Sequence, residues 1–242
     1  MPFDFTNLKP YVIDYDLLFD SLEKLPLLDD QKLQQEYLLN WKNNLQRFDK
    51  VIVEQLNTPQ KIANYQSAIN KEEEFEIFQQ EYTFFPSQVK IFFHYRVSVI
   101  FKSLEHFNQM NNSQKINLID FTNKESKIKW TNRQINLLKK YNNTPIFLIP
   151  FFDKQYNYLV IDGNHRISHA VALNKKNING FSFSEKSVID NQWFCSGFDK
   201  ILYIFYNEMN HFANNKKYNN TPDYELLMKS YLSNKGFQFD QD

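Results

Sequence analysis

Leu38, Trp41, Leu45, Phe48 and Ile52 recur at alternating spacings of three and four, the period of a single apolar helix face. Asp29 or Asp30 can cap the start of that helix, and Thr58-Pro59 punctuates its end. A second helix is predicted from Pro59, with Ile62, Tyr65 and Ile69 and then Phe75, Phe78 and Tyr82 on one side. Within it, Lys71-Glu72-Glu73-Glu74 reads as a solvated stretch of surface. Pro86 opens a third helical segment, carrying Phe93, Val97, Ile100, Leu104 and Phe107 in the same rhythm. Further along, Phe198, Ile201, Phe205, Met209 and Phe212 mark another amphipathic helix. A polar loop is expected from Asn214 to Asn220, and Thr221-Pro222 begins a last helix with Leu226, Leu227 and Tyr231. Beyond Ser233 the chain is polar and is expected to fray.

The pattern between these helical ends is different. Tyr158 to Ile161 is an apolar run of strand length, halted by the turn signal Asp162-Gly163. Ile167 with Val171, and Ala170 with Asn174, mark the two edges of a short helix beginning near Arg166. Amides at a helix start, with the positive end of the helix dipole, favour an anion. Arg166 adds a planar fork for phosphate oxygens, and His165 a donor that can charge near neutral pH. Taken singly, each residue has a structural explanation: Asp162 can cap the helix, Asn164 can close an Asx-turn, and His165 and Arg166 can cover the loop. Together at one strand-to-helix junction, Asp162, Gly163, Asn164, His165 and Arg166 read as a phosphate site. Neither the multi-glycine phosphate loop nor the dinucleotide fingerprint is present.

At these residues the chain resembles the ParB/sulfiredoxin superfamily, whose members carry a strand, then Asp-Gly-x-His-Arg or a related loop, then a helix. The likeness runs from Ile116 to about Glu185. Ile116 to Asp120 looks like the family's first strand and Trp130 to Tyr141 like the helix that follows. Thr144 to Pro150 and Tyr156 to Ile161 look like the paired strands before the loop, and Ile178 to Phe183 like the returning strand. Sulfiredoxins place a nucleophilic cysteine where this chain has Asn164, and the single cysteine, Cys195, lies well downstream; sulfinic acid repair is therefore not expected. The CTP-binding segregation proteins carry an acidic residue at the Asn164 position and Arg at that of His165. Here the form is closer to the branch that holds ATP- or ADP-dependent small-molecule kinases and phage or plasmid proteins. What the resemblance implies is an α+β fold, a small mixed sheet with the strand-loop-helix phosphate site, flanked by helical segments. Its expected division is 1–112 helical, 113–187 the superfamily-like core, and 188–242 helical and packed on that core. The implied ligand is a nucleotide, ATP or CTP, with Mg2+.

Charge and composition narrow the partners. Lys and Arg total 28, as do Asp and Glu, so the formal net charge is zero. That argues against a surface given over to nucleic acid, whose affinity is dominated by phosphate neutralisation. One cysteine rules out an internal disulfide and a cysteine metal cluster. The opening residues lack a basic-then-apolar leader, and the most apolar stretch, Val89 to Phe101, is broken by Lys90, His94 and Arg96. A cytoplasmic protein without a membrane span is expected.

Phosphoryl chemistry needs a base or a metal-holding carboxylate beside the phosphate loop. Asp120, Glu125 and Asp162 are the acidic choices, with Lys127 and Arg133 as further cations. Glu125 is the preferred catalytic carboxylate, because a loop after the first strand can close over a nucleotide, and His165 would steady the transferring phosphate. His165 and His169, one helical turn apart, have a zinc-like spacing but no evident third ligand, so no metal is assigned to protein side chains. Three readings follow: a phosphotransferase or nucleotide hydrolase, a non-catalytic nucleotide sensor acting on a small-molecule or protein partner, and a ParB-like nuclease or accessory factor.

Overall fold

A long helix starts directly behind Asp30, whose carboxylate accepts from the amides of Lys32 (2.8 Å) and Leu33 (3.1 Å). Its apolar face is the predicted one: Leu38, Trp41, Leu45 and Ile52 are buried. The computed structural model describes residues 2–71, 76–107, 109–136, 141–153 and 155–239. The chain opens with β1 (Phe3–Asp4), β2 (Lys9–Pro10), α1 (Tyr15–Leu22), α2 (Gln31–Leu56), α3 (Pro59–Lys71), β3 (Ile77–Phe84), β4 (Val89–Arg96) and α4 (Val97–His106). Next come β5 (Gln114–Asn117), α5 (Ile119–Thr122), β6 (Ile128–Lys129), β7 (Ile146–Asp153), β8 (Tyr156–Asp162), α6 (Asn164–Ala172), β9 (Asn177–Ser182) and α7 (Glu185–Asp190). It closes with α8 (Gly197–Asn214), α9 (Asp223–Lys229) and α10 (Tyr231–Asn234). The class is α+β.

Two compact units divide the chain, 2–96 with 194–239, and 97–193. The boundary expected after residue 112 therefore falls after Arg96, and the one expected after 187 falls after Trp193. The reason is the strand pairing: β4 is tied to β3 and, through the Tyr95–Phe194 bridge, to the chain entering α8.

In the first unit the helix predicted to run on from Pro59 stops at Lys71, and β3 and β4 form an antiparallel hairpin. Phe78 and Tyr82 suit either period, but Val89, Ile91, Phe93 and Tyr95 are buried alternately with exposed Lys90, the two-residue repeat of a strand. Phe75 and the Glu72–Glu74 run lie outside the described residues. Helix α8 is buried nearly all round and carries Glu208 into the interior. Its Oε1 accepts from Tyr37 Oη (3.0 Å), Trp41 Nε1 (3.2 Å) and Ser230 Oγ (2.6 Å), and its Oε2 from the Tyr231 amide (2.9 Å). Ser230 is also where the predicted last helix breaks into α9 and α10: its extended backbone (φ −62°, ψ 138°) ends one and its hydroxyl caps the next. The Asn214–Asn220 segment, expected as a loop, contains a π-helical turn at Asn215–Asn219. Nor is the tail frayed as far as Phe239, for Phe237 and Phe239 are buried and Phe239 stacks on His211.

The second unit is built on a five-stranded mixed sheet in the order β5-β9-β7-β8-β6. β5 and β9 are antiparallel, β9 and β7 parallel, β7 and β8 antiparallel, β8 and β6 parallel. The expected first strand, Ile116 to Asp120, ends at Asn117 and turns into α5. The paired strands before the loop and the returning strand are where they were expected. The helix expected over Trp130 to Tyr141 does not form over 130–136; residues 137–140 lie outside the described residues. There the amides of Thr131 and Arg133 donate to the side chains of Asn164 and Ser168, which tie this non-helical segment to α6. Leu118, Phe121, Ile146, Leu148, Val160 and Ile167 form the core under α6.

Candidate functional site

Apolar β8 runs to Asp162, and the chain reverses at Gly163 in the left-handed region (φ 100°) before entering α6. A Cβ at Gly163 would sit 2.8 Å from Ile146 Cβ, so steric room as well as backbone angle excludes other residues here. The strand-loop-helix junction is thus formed, with α6 starting at Asn164, slightly earlier than its expected start near Arg166. Gly163 supplies no side-chain cap to the first turn of α6. Asp162 does not cap the helix either; its Oδ2 accepts from Arg166 Nη2 at 2.5 Å.

Arg166 is drawn into its own unit. Nη1 donates to Thr144 Oγ1 and to Asn142 Oδ1 (3.2 Å), and Nη2 also to the Pro145 carbonyl (3.3 Å). The fork expected to hold a ligand phosphate instead clasps β8, α6 and the entry to β7. Among the described residues its Nε–H finds no acceptor and is buried. Asn164, likewise, closes no Asx-turn: its Oδ1 accepts from the Thr131 amide (2.7 Å) and its Nδ2 donates to the Val160 carbonyl (3.4 Å). Ser168 continues the suture, accepting from the Arg133 amide (2.9 Å) and donating to the Asn164 carbonyl (2.9 Å). His165 is exposed, its ring within 12° of parallel to Tyr141, which also contacts the ring of His169 (4.8 Å between centroids). Because the guanidinium makes contacts on both nitrogens that an ammonium cannot reproduce, Arg166→Lys should lower the stability of this unit by about 1–3 kcal/mol. Urea unfolding would measure it, and an unchanged midpoint would mean that the clasp holds nothing.

Glu125 is not brought to this junction. Lys127, two residues on, accepts from the amides of Asn157 (2.7 Å) and Tyr158 (3.0 Å) at the beginning of β8, whereas Asp162 ends it. The strand between them spans about 17 Å, and among the described residues Glu125 makes no hydrogen bond or ion pair with 162–166. The cause is the parallel pairing of β6 with β8, which sends the preceding loop to the far end of the sheet. Among the described residues Asp120 makes no side-chain hydrogen bond and gives its backbone carbonyl to Ser126 Oγ (2.6 Å). After β6 the chain does reach the junction, so Arg133, whose side chain is exposed, is the cation that the fold seats beside α6. A polar side chain meeting an amide from an unpredicted turn leaves no signal in sequence spacing, and the pairing of Asn164 with Thr131 was illegible for that reason.

Among the described residues no group of three His, Cys, Asp or Glu is arranged to hold a metal. Burial, then the Asp199 carboxylate, push the Cys195 thiol well above its ordinary value, so it stays protonated. No helix among the described residues is long and apolar enough to cross a membrane. Compared with protein-family models, with curated proteins and with solved structures, the chain finds no significant match.

Proposed function

We propose that this chain binds a nucleotide, ATP or CTP with Mg2+, through its phosphates at the Asp162–Arg166 junction, as the ParB/sulfiredoxin proteins it resembles do. The observation that carries this reading is the start of α6, where first-turn amides without a side-chain cap follow a tight glycine turn, with His165 exposed beside them. A phosphate there meets amides and an imidazole, while Arg166 keeps the loop in shape from behind. The work is cytoplasmic, where nucleotides are abundant, and nucleic acid is a poor partner for a chain of zero formal net charge.

Binding without turnover, a sensor for a small-molecule or protein partner, is favoured over phosphotransfer or hydrolysis by one specific arrangement. Asp162 is committed to Arg166, and Glu125 belongs with the other end of β8. A reaction would need a carboxylate from the substrate, or a movement of the Glu125 loop, to take the hydroxyl proton or order the metal. Calorimetry of the full chain with ATP, ADP, CTP and GTP in Mg2+ tests both readings. One nucleotide should bind, and His165→Ala should weaken it about three- to tenfold, the loss of one hydrogen bond to a charged group. Release of phosphate on prolonged incubation would restore the enzyme reading. Silence with all four nucleotides would remove the proposal.

A further inference from the structure

We propose that a second, separate cleft, between α6 and β9, binds a small oxyanion, a phosphate or carboxylate group, at Lys175 and His169. The cleft holds about 250 Å3 and is lined on one side by Arg166, His169 and Ala170, which share a face of α6, and on the other by Lys175 and Asn177 to Asn179; Tyr141 to Thr144 close one end. Among the described residues that line it, none is acidic. Arg166, which also lines the cleft, is balanced by Asp162. Lys175 is exposed, and among the described residues it makes no ion pair, while His169 makes ring contact with Tyr141 but no side-chain hydrogen bond.

The ordinary alternative for Lys175 is that it complements the carbonyl end of α6. Three of the last four carbonyls already accept amides: Leu173, Lys175 and Asn174 donate to His169, Ala170 and Val171. Among the described residues the ammonium meets no carboxylate, which leaves it to a ligand. The side-chain amides of the asparagine liners suit the polar remainder of a hydroxylated or amide-bearing molecule. Size separates this site from a nucleotide site, since 250 Å3 falls below the range of clefts that enclose drug-sized ligands and suits a compact anion.

Heteronuclear NMR titrations of the full chain with inorganic phosphate and, in parallel, succinate, at constant ionic strength, test the idea. Saturable shifts are expected at Lys175, His169 and Asn177–Asn179 with at least one anion below about 20 mM. Phosphate alone would name a phosphorylated ligand, succinate alone a carboxylate. The double variant Lys175→Gln, His169→Gln should lose about tenfold in affinity, and Lys175→Arg should keep most of it. In His165→Ala the shifts at Lys175 and Asn177–Asn179 should saturate over the parent's concentration range even where those at 162–165 weaken, which separates the cleft from the junction and leaves the result intact if no nucleotide binds. Equal affinity in the double variant, shifts confined to 162–165, or no saturation with either anion would each overturn the assignment.

Discussion

Gly163→Ala is expected to destabilise the 97–193 unit by about 2–5 kcal/mol, a large share of the roughly 5–15 kcal/mol that holds an ordinary domain folded. Two costs add. The backbone at φ 100° disfavours any side chain, and the new Cβ would lie 2.8 Å from Ile146 Cβ, within the β7 core, where nothing can swing aside. Relief would require β8 and α6 to part, which would also pull Asn164 from the Thr131 amide and Arg166 from Asp162. Gly236→Ala is the control, because its Cβ would meet only Asn234 Oδ1, at 3.4 Å, with no positive φ to support. Urea unfolding read by amide exchange in 97–193 would compare them. A Gly163 variant within about 0.5 kcal/mol of the parent would show that the turn is not under this constraint.

Glu208→Ala should cost the other unit about 3–5 kcal/mol. The carboxylate gathers Tyr37 and Trp41 from α2, and Ser230 and the Tyr231 amide from the break between α9 and α10, and its removal leaves four buried or half-buried donors without an acceptor. Glu208→Gln keeps an oxygen for one side of the cluster but turns an amide donor toward the others, so its loss should be smaller. The two variants also differ from the parent in pH dependence. Burial pushes the Glu208 carboxyl above the ordinary 4.5, outweighing the hydrogen bonds from Ser230, Tyr231, Tyr37 and Trp41 that lower it. The native state then holds this proton more tightly than the unfolded chain does. That contribution is complete below pH 4.5 and is lost as pH rises through the folded value. Relative to Glu208→Gln, the parent should therefore lose stability between mildly acidic and higher pH, measured by thermal unfolding across that range. A difference that grows with pH would reverse the sign and discard the account.

What the sequence alone determined was local. The period of Leu38, Trp41, Leu45 and Ile52 specifies a helix wherever it is placed, since a face with that repeat can bury itself in only one way. Tyr158 to Ile161 followed by Asp162-Gly163 specifies strand, reversal and helix start for the same reason: a short apolar run, then the one residue that accepts φ 100°. Tertiary structure decided everything that depends on who lies alongside. Phe78 and Tyr82 satisfied both repeats until β4 paired with β3. Trp130 onward could have begun a helix, but the segment stays non-helical beside α6, where Asn164 and Ser168 accept from the Thr131 and Arg133 amides. The loop holding Glu125 was assigned to the junction by chain order, and parallel pairing of β6 with β8 carried it to the opposite end of the strand. Arg166 was legible as a cation at a helix start, whereas its commitment to Asn142, Thr144 and Pro145 required β7 to run beside β8. Side-chain chemistry is written residue by residue, but the partner that spends or frees it arrives from a distant part of the chain, and only the closed sheet brings the two together.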